Sequence, residues 1–361
     1  MKLSQLFVAV AVGFVAFGYY TLVAQRGELD IPSYALAKLS KLVMREPYPK
    51  KDLSDLSFWR TFVRLFAVPN NFFHRVSSVS GEEIEINTYL DANYAPVTVR
   101  VYKPKVSSPD LKPVILWFHG GGFVVGSAEA DDAMCSEMVV EADAIVVNVD
   151  YRMAPEHPFP TPIEDSISAL RWTSKHISSF GGDPRKLFVA GESAGGNIAA
   201  VLTAHNLDTQ FVPVQERAGI IGSFLIYPAV DIGGVYPSHE KYSDFCGILT
   251  KAQLDRFREV YCGSSDVKAK CADNYLFSPL KAPDSVLSQF PTTVVMLAKY
   301  DVLVDEGVAM AEKLKKLKVK TELIIYDSTV HFFFGKHTFP EGPTSLKALS
   351  ERVKSISAAV K

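Results

Sequence analysis

Short apolar runs and longer amphipathic stretches alternate along most of this chain. Six runs rich in Val, Ile and Leu have the character of buried parallel strands, at residues 114–118, 144–149, 187–190, 220–226, 293–298 and 322–326. Helical spacing predicts helices over residues 163–176, 197–205, 306–317 and 344–360. Alternating apolar and polar residues at 88–89 and 97–102 predict an antiparallel edge hairpin. This order predicts an α/β fold with a mostly parallel central sheet flanked by helices.

Two segments depart from that rhythm. Residues 231–289 carry a helical signal at 250–261 and little strand character, which is typical of an insertion that forms a lid or substrate pocket. Residues 26–80 are aromatic and mixed in charge, with short helices predicted near 31–44 and 53–67. We therefore expect an N-terminal segment (1–25), a lead-in that packs on the main domain (26–80), and a main domain (81–361) containing the insertion.

The N-terminal segment has the composition of a membrane span. Residues 6–24 carry no charge, with Lys2 before them and Arg26 after them. A transmembrane helix needs roughly 20 apolar residues, whereas a cleavable signal peptide has a shorter apolar region. The pattern favours a signal anchor, with the endoplasmic reticulum as the expected membrane. The alternative is a cleaved signal and a secreted protein.

Charge and cysteine usage exclude several classes of function. The formal net charge is −2, and no cluster of Lys and Arg is dense enough to bind nucleic acid. The four cysteines show no CxxC spacing and no neighbouring histidine pairs, so no metal site is expected. No cofactor is expected either. A Cys262–Cys271 disulfide is possible in an oxidising compartment, and buried free thiols are the alternative.

The chemistry of the chain centres on Ser193, which stands in the sequence Gly-Glu-Ser-Ala-Gly between a predicted strand and a predicted helix. Glycines at 191 and 195 permit so sharp a turn, which forces the serine side chain outward. The helix that follows directs free N–H groups and its positive dipole end at the same place. This pattern is a nucleophile elbow.

A serine hydroxyl is a weak nucleophile and needs a base, which in turn needs an orienting acid. In an elbow-type hydrolase these partners follow the serine in the order acid, then histidine. His331 follows the last predicted strand by a short loop, and His337 is the second candidate. Asp301 follows the strand at 293–298, whereas Asp305 and Glu306 suit an ordinary helix N-terminus.

A third element is the run of glycines after His119, at the end of the strand 114–118. Consecutive glycines let main-chain N–H groups approach a substrate without obstruction from side chains. Together with the N–H of Ala194, such donors would form an oxyanion hole.

These motifs resemble the hormone-sensitive-lipase branch of α/β-hydrolase esterases, which includes arylacetamide deacetylase-like proteins. The resemblance covers about residues 80–340 and is carried by residues 119–122, 150–160 (DYRMAPEHPFP), 191–195, 274–280 and 301–306. It implies Ser193 as nucleophile, His331 as base and Asp301 as acid. It also implies an oxyanion hole of Gly121, Gly122 and Ala194.

The resemblance further implies that the lead-in and the 231–289 insertion together cap the acyl pocket. Two departures from the family pattern are present. Glu192 stands where Asp is commoner, and Phe332 begins a Phe-Phe-Phe run where a Gly-Phe pair is usual.

The leading hypothesis is a membrane-anchored serine esterase that hydrolyses carboxylic, short-acyl or acetyl esters of apolar alcohols through an acyl-enzyme. One alternative is a non-catalytic ligand receptor on the same fold. Another is an amide-cleaving hydrolase that uses the same three residues.

Overall fold

One mixed β-sheet forms the centre of the molecule. The computed structural model of the chain describes residues 76–88, 96–106, 108–243, 249–337 and 339–360. Within them the strands are β1 (Val79–Asn87), β2 (Pro96–Pro104), β3 (Lys112–Phe118), β4 (Ile145–Asp150), β5 (Gly182–Glu192), β6 (Ile220–Ile226), β7 (Thr292–Tyr300) and β8 (Thr321–Val330). They pair in the order β1-β2-β4-β3-β5-β6-β7-β8. The β1–β2 and β2–β4 pairs are antiparallel and the others parallel, which confirms the predicted fold class.

Helices alternate with the parallel strands. In chain order, the helices of the described residues are α1 (Asp132–Ala142), α2 (Thr161–His176), α3 (Ala194–Leu207), α4 (Pro237–Lys241), α5 (Lys251–Cys262), α6 (Val267–Lys270), α7 (Asp284–Leu287), α8 (Val304–Lys316) and α9 (Glu341–Ala359). Every helix predicted from spacing in this part of the chain is present, with ends shifted by up to three residues.

The two faces of the sheet bury separate hydrophobic cores. Along β3, Leu116 and Phe118 belong to one core and Trp117 to the other, because successive side chains of a strand point to opposite faces. Buried residues of α2, α3 and α8 complete the first core, and those of α1 and α9 complete the second. Burial on both faces is the reason that the central strands read as continuous apolar runs.

The strands at the two edges of the sheet differ from the prediction. The edge hairpin is present, but its first strand is β1, which ends one residue before the predicted segment 88–89. Glu82, Glu83 and Glu85 occupy exposed positions of this edge strand and hide its apolar alternation. At the other edge, β8 continues to Val330 and pairs there with β7. His331 therefore follows its strand directly and not through a loop.

The described residues of the predicted insertion contain helices and no strand, since α4, α5, α6 and α7 all lie within residues 231–289. Cys262 at the end of α5 forms a disulfide with Cys271, so the first of the two cysteine alternatives is the one found. Cys135 is a buried free thiol in α1. Cys246 lies outside the described residues.

The N-terminal predictions also lie outside the described residues. The apolar segment 6–24 and the helices predicted near 31–44 and 53–67 all precede residue 76. Among the helices that the structure does describe, none combines the length and apolarity needed to span a bilayer.

Candidate active site

Ser193 occupies the sharp turn between β5 and α3. Its backbone has φ 56° and ψ −115°, a conformation that residues with a side chain rarely adopt. The Ser193 N–H donates to the carbonyl of Ile226 at the end of β6, with an N–O distance of 2.8 Å. The Ser193 carbonyl accepts from the N–H of Asn197 in the first turn of α3 at 3.0 Å. Both neighbouring elements therefore hold the strained turn in place.

The glycines on either side of Ser193 are required by close approach of the backbone. A Cβ atom on Gly191 would lie 2.4 Å from the carbonyl oxygen of Gly195. A Cβ atom on Gly195 would lie 2.0 Å from the carbonyl oxygen of Phe118, at the end of β3. No side chain fits at these distances, so the sequence pattern has a steric cause.

The structure brings together the three residues predicted for the triad. His331 Nε2 lies 3.0 Å from Ser193 Oγ, and His331 Nδ1 lies 2.7 Å from Asp301 Oδ2. The second oxygen of Asp301 accepts from the N–H of Leu303 at 2.9 Å. These side chains follow β5, β7 and β8 at the carboxyl edge of the sheet, where open α/β sheets bind their ligands.

The hydrogen-bond geometry of these groups favours one tautomer of His331. Asp301 is fully buried, and Ser193 and His331 are nearly so. A buried carboxylate accepts the Nδ1–H of the imidazole, which leaves the Nε2 lone pair directed at the serine hydroxyl. In this tautomer His331 can accept the serine proton.

The competing candidates have other partners. His337 Nε2 lies 2.7 Å from Glu137 Oε1. Asp305 accepts from the N–H of Ser238 at 2.8 Å, and Glu306 accepts from the N–H of Val230 at 2.7 Å. Both carboxylates stand in the first turn of α8, as their interpretation as helix-terminal residues predicts.

The glycine loop after β3 lies alongside the elbow. Gly121 and Gly122 have φ values of 118° and 62°, which favour glycine. The Gly121 carbonyl accepts from the N–H of Val124 and Val125, which closes the loop. Within the described part of the chain, the N–H groups of Gly121 and Gly122 donate to no protein acceptor. They are therefore available to a ligand.

Sequence reasoning missed two aromatic residues beside this site. Tyr227 follows β6, its hydroxyl donates to the Glu192 carboxylate, and its ring centroid lies 4.6 Å from that of His331. Burial raises the pKa of Tyr227 well above its ordinary value and keeps the hydroxyl protonated. Phe257 of α5 lies against the glycine loop, because a Cβ atom on Gly122 would be 2.5 Å from its ring. Neither residue belongs to a motif, so only the fold could place them.

Comparisons with known proteins agree with this architecture. A family model described as alpha/beta hydrolase fold matches residues 115–335. Esterase LipI of Mycobacterium tuberculosis is 35% identical over 251 residues, which are 69% of this chain and 75% of that protein. Arylacetamide deacetylase of Mus musculus is 28% identical, over 78% of this chain and 81% of that protein.

A solved structure, a hyperthermophilic esterase from the archaeon Pyrobaculum calidifontis, superposes with a TM-score of 0.79 at 29% identity. The superposition covers 92% of this chain and 99% of the esterase chain. A mixed sheet with a serine at a strained strand-to-helix turn defines the class of α/β hydrolases. The chain belongs to the alpha/beta hydrolase fold family, in agreement with the resemblance carried by its motifs.

Proposed function

We propose that this protein is a serine hydrolase of carboxylic esters. The observation that supports the proposal most strongly is the hydrogen-bond chain from Ser193 through His331 to buried Asp301, with distances of 3.0 and 2.7 Å. The names of the relatives, which are esterases and a deacetylase, point to the same reaction.

The proposed reaction uses each of these groups in turn. Ser193 Oγ attacks the ester carbonyl while His331 Nε2 takes its proton, and Asp301 stabilises the imidazolium that forms. The N–H groups of Gly121, Gly122 and Ala194 donate to the oxyanion. His331 then gives its proton to the departing alkoxide, which leaves as an alcohol. Water hydrolyses the acyl-enzyme by the same steps and restores the Ser193 hydroxyl.

The first experiment removes the nucleophile. In Ser193→Ala the hydrolysis of p-nitrophenyl acetate is expected to fall by at least about 10⁴-fold in kcat, because the remaining groups supply only binding and oxyanion stabilisation. Ser350→Ala, which truncates a buried serine of α9, is the matched control. Hydrolysis retained in Ser193→Ala at the wild-type rate would contradict the assignment of the nucleophile.

A fluorophosphonate probe separates the enzyme from a receptor on the same fold. An activated serine attacks the phosphorus atom of the probe and displaces fluoride. Mass spectrometry is therefore expected to detect the adduct on Ser193 in the wild-type protein and no adduct in His331→Gln. A receptor would remain unlabelled in both.

For the substrate we propose short-acyl or acetyl esters of apolar alcohols. Support comes from the aromatic residues that stack beside the glycine loop: Phe123 on Tyr261 with ring centroids 3.7 Å apart, and Tyr261 on Phe277 at 5.0 Å. Apolar walls with a few polar groups are typical of small-molecule sites. Assays of an ester and its matched anilide would measure the preference for ester over amide.

We further propose that the lead-in (26–80) and the insertion (231–289) cap this site, and that residues 6–24 anchor the protein in the endoplasmic reticulum membrane. Alkaline extraction of membranes from cells expressing the full chain is expected to leave it in the pellet and to release a variant without residues 1–25. A mature N-terminus after residue 24 would instead indicate a cleaved signal and secretion.

A further inference from the structure

A buried ion pair that takes no part in the proposed chemistry lies behind the triad. The Lys336 ammonium is 3.3 Å from Asp131 Oδ1 and 3.7 Å from Glu192 Oε1. The three side chains are 12%, 5% and 2% exposed. One cation and two carboxylates are thus removed from water at the same place.

Both ends of this cluster are fixed by neutral donors. The indole N–H of Trp117 donates to Asp131 Oδ2 at 2.9 Å, and the Tyr227 hydroxyl donates to Glu192. Burial by itself disfavours the ammonium, but the carboxylates of Asp131 and Glu192 hold the pKa of Lys336 above its ordinary value. The two carboxylates therefore favour the charged form of Lys336.

Stability alone is a poor reason for such a pair. The free-energy cost of removing two charges from water offsets most or all of their attraction. A protein with well-packed apolar side chains in their place is often as stable. A buried pair is better explained where it fixes one geometry among several.

The position of the pair in the sheet indicates which geometry it fixes. Glu192 directly precedes Ser193 at the end of β5, whereas Lys336 lies five residues after His331, in the loop that follows β8. β6 and β7 separate these two strands, so strand pairing does not join the two loops directly. Tyr227, which follows β6, contacts both loops: its hydroxyl donates to Glu192, and its ring lies beside that of His331.

Lys336 also holds the residue next to the proposed base. Its ammonium lies 4.8 Å from the centre of the Phe332 ring, within the range of a cation–π contact. Phe332 has φ 77°, a left-handed conformation that is unfavourable for a residue with a side chain. The same cation thus contacts the elbow and the His331 loop.

We propose that Glu192 and Lys336, together with the Tyr227 hydroxyl, are positioning residues that hold Ser193 and His331 at reacting distance. This inference rests on the proposed function, since it concerns the same site. An error of about 1 Å in the placement of reacting groups can cost on the order of 100-fold in rate. Loss of the pair is therefore expected to lower kcat and to change KM little.

The test compares Glu192→Gln and Lys336→Met with the wild-type protein in the hydrolysis of p-nitrophenyl acetate. Rates are divided by the number of active sites that react with diethyl p-nitrophenyl phosphate, so that unfolded molecules do not count. We expect kcat per titrated site to fall by about 10- to 100-fold in each variant, with KM changed by less than about threefold. The double variant is expected to lose no more than the worse single variant, because both remove one interaction.

A conservative variant and a control complete the design. Lys336→Arg keeps the charge and is expected to recover kcat to within about threefold of the wild type. Asp165→Asn breaks another buried pair, that between Asp165 and Arg152, which are 0% and 16% exposed. It is expected to lower the melting temperature and to leave kcat per titrated site unchanged.

The outcomes separate this inference from the proposed function. If the wild-type protein neither hydrolyses the ester nor reacts at Ser193, the proposed function is wrong. If the wild type is active and both variants keep its kcat per titrated site, only the positioning role is wrong. Loss confined to KM, or multiplicative losses in the double variant, would also overturn the positioning role.

Discussion

Three residues with a side chain adopt positive φ beside the proposed base. Ser193, Tyr227 and Phe332 have φ values of 56°, 32° and 77°. Such conformations cost on the order of 1–3 kcal/mol each and persist where the surroundings hold them. Phe332 stands where the family pattern usually has glycine, and its left-handed backbone explains that preference. A phenylalanine at this position therefore has a strained backbone, and its ring contacts the Lys336 ammonium.

The strain at Phe332 predicts an unusual order of stability. Phe332→Gly is expected to be more stable than Phe332→Ala by about 1 kcal/mol, because only glycine adopts this φ without a steric cost. Urea denaturation measures both variants. The same pair of changes at Ile325, in the middle of β8, is the control and is expected to favour alanine. An alanine variant at 332 as stable as the glycine variant would show that the backbone there is unstrained.

At the scale of elements, α5 rests on the glycine loop. Phe257 contacts Gly122, and one turn later Tyr261 stacks on Phe123. The helix is fixed at its start by Thr250, whose side chain accepts from the N–H of Gln253. The disulfide at Cys262 and the bond from the Phe159 N–H to the Tyr261 carbonyl, at 2.8 Å, fix its end. A helix held at both ends gives Phe257 a defined place beside the proposed oxyanion donors.

This placement predicts that Phe257 limits the size of the substrate. We compare kcat/KM for p-nitrophenyl pivalate with kcat/KM for p-nitrophenyl acetate. In Phe257→Ala this ratio is expected to rise by about tenfold or more, because a change of a few methylene groups in a pocket alters discrimination between substrates by about 1–3 kcal/mol. Leu254→Ala, one turn earlier in α5, is the control for general loosening of the helix and is expected to keep the wild-type ratio. An equal loss of kcat/KM for both esters in Phe257→Ala would show that the ring only supports packing and does not limit substrate size.

At the scale of the whole molecule, α3 is almost completely buried between the sheet and the helices that pack beside it. The helix includes His205 in its last turn. The residue is 6% exposed, and its ring stacks on Phe211. Burial, assisted by the charge of Arg171, lowers the pKa of His205 to about 4.

The lowered pKa of His205 predicts how stability depends on pH. The unfolded chain binds this proton near pH 6.5 and the folded protein only near pH 4, so stability is lost as the pH falls through that window. Between pH 7 and pH 5 the loss from this residue is about 2 kcal/mol. Urea unfolding of His205→Gln at the two pH values is expected to show a loss smaller by that amount. His157→Gln removes an exposed histidine as the control, and an unchanged loss in His205→Gln would contradict the assignment.

Much of the fold and of the candidate site could be predicted because the signals are local. The parallel strands appear as apolar runs, and Gly191 and Gly195 mark a turn that no larger residue can make. The order of Ser193, Asp301 and His331 follows from the connectivity of an elbow-type hydrolase. The position of β1 was not predicted because its exposed face carries glutamates. The full length of β8 was not predicted because the residues near its end are mostly polar.

The sequence by itself determined the fold class, the family and the identities of the proposed triad, because each of these rests on residue types at fixed positions along the chain. The tertiary structure decided what lies next to what across the sheet. It brought Tyr227 and Lys336 to Glu192, Phe257 to Gly122, and Cys262 to Cys271. Apart from the two cysteines, these partners belong to elements distant in the chain. They are joined by burial and charge, which leave no periodic trace in a single sequence.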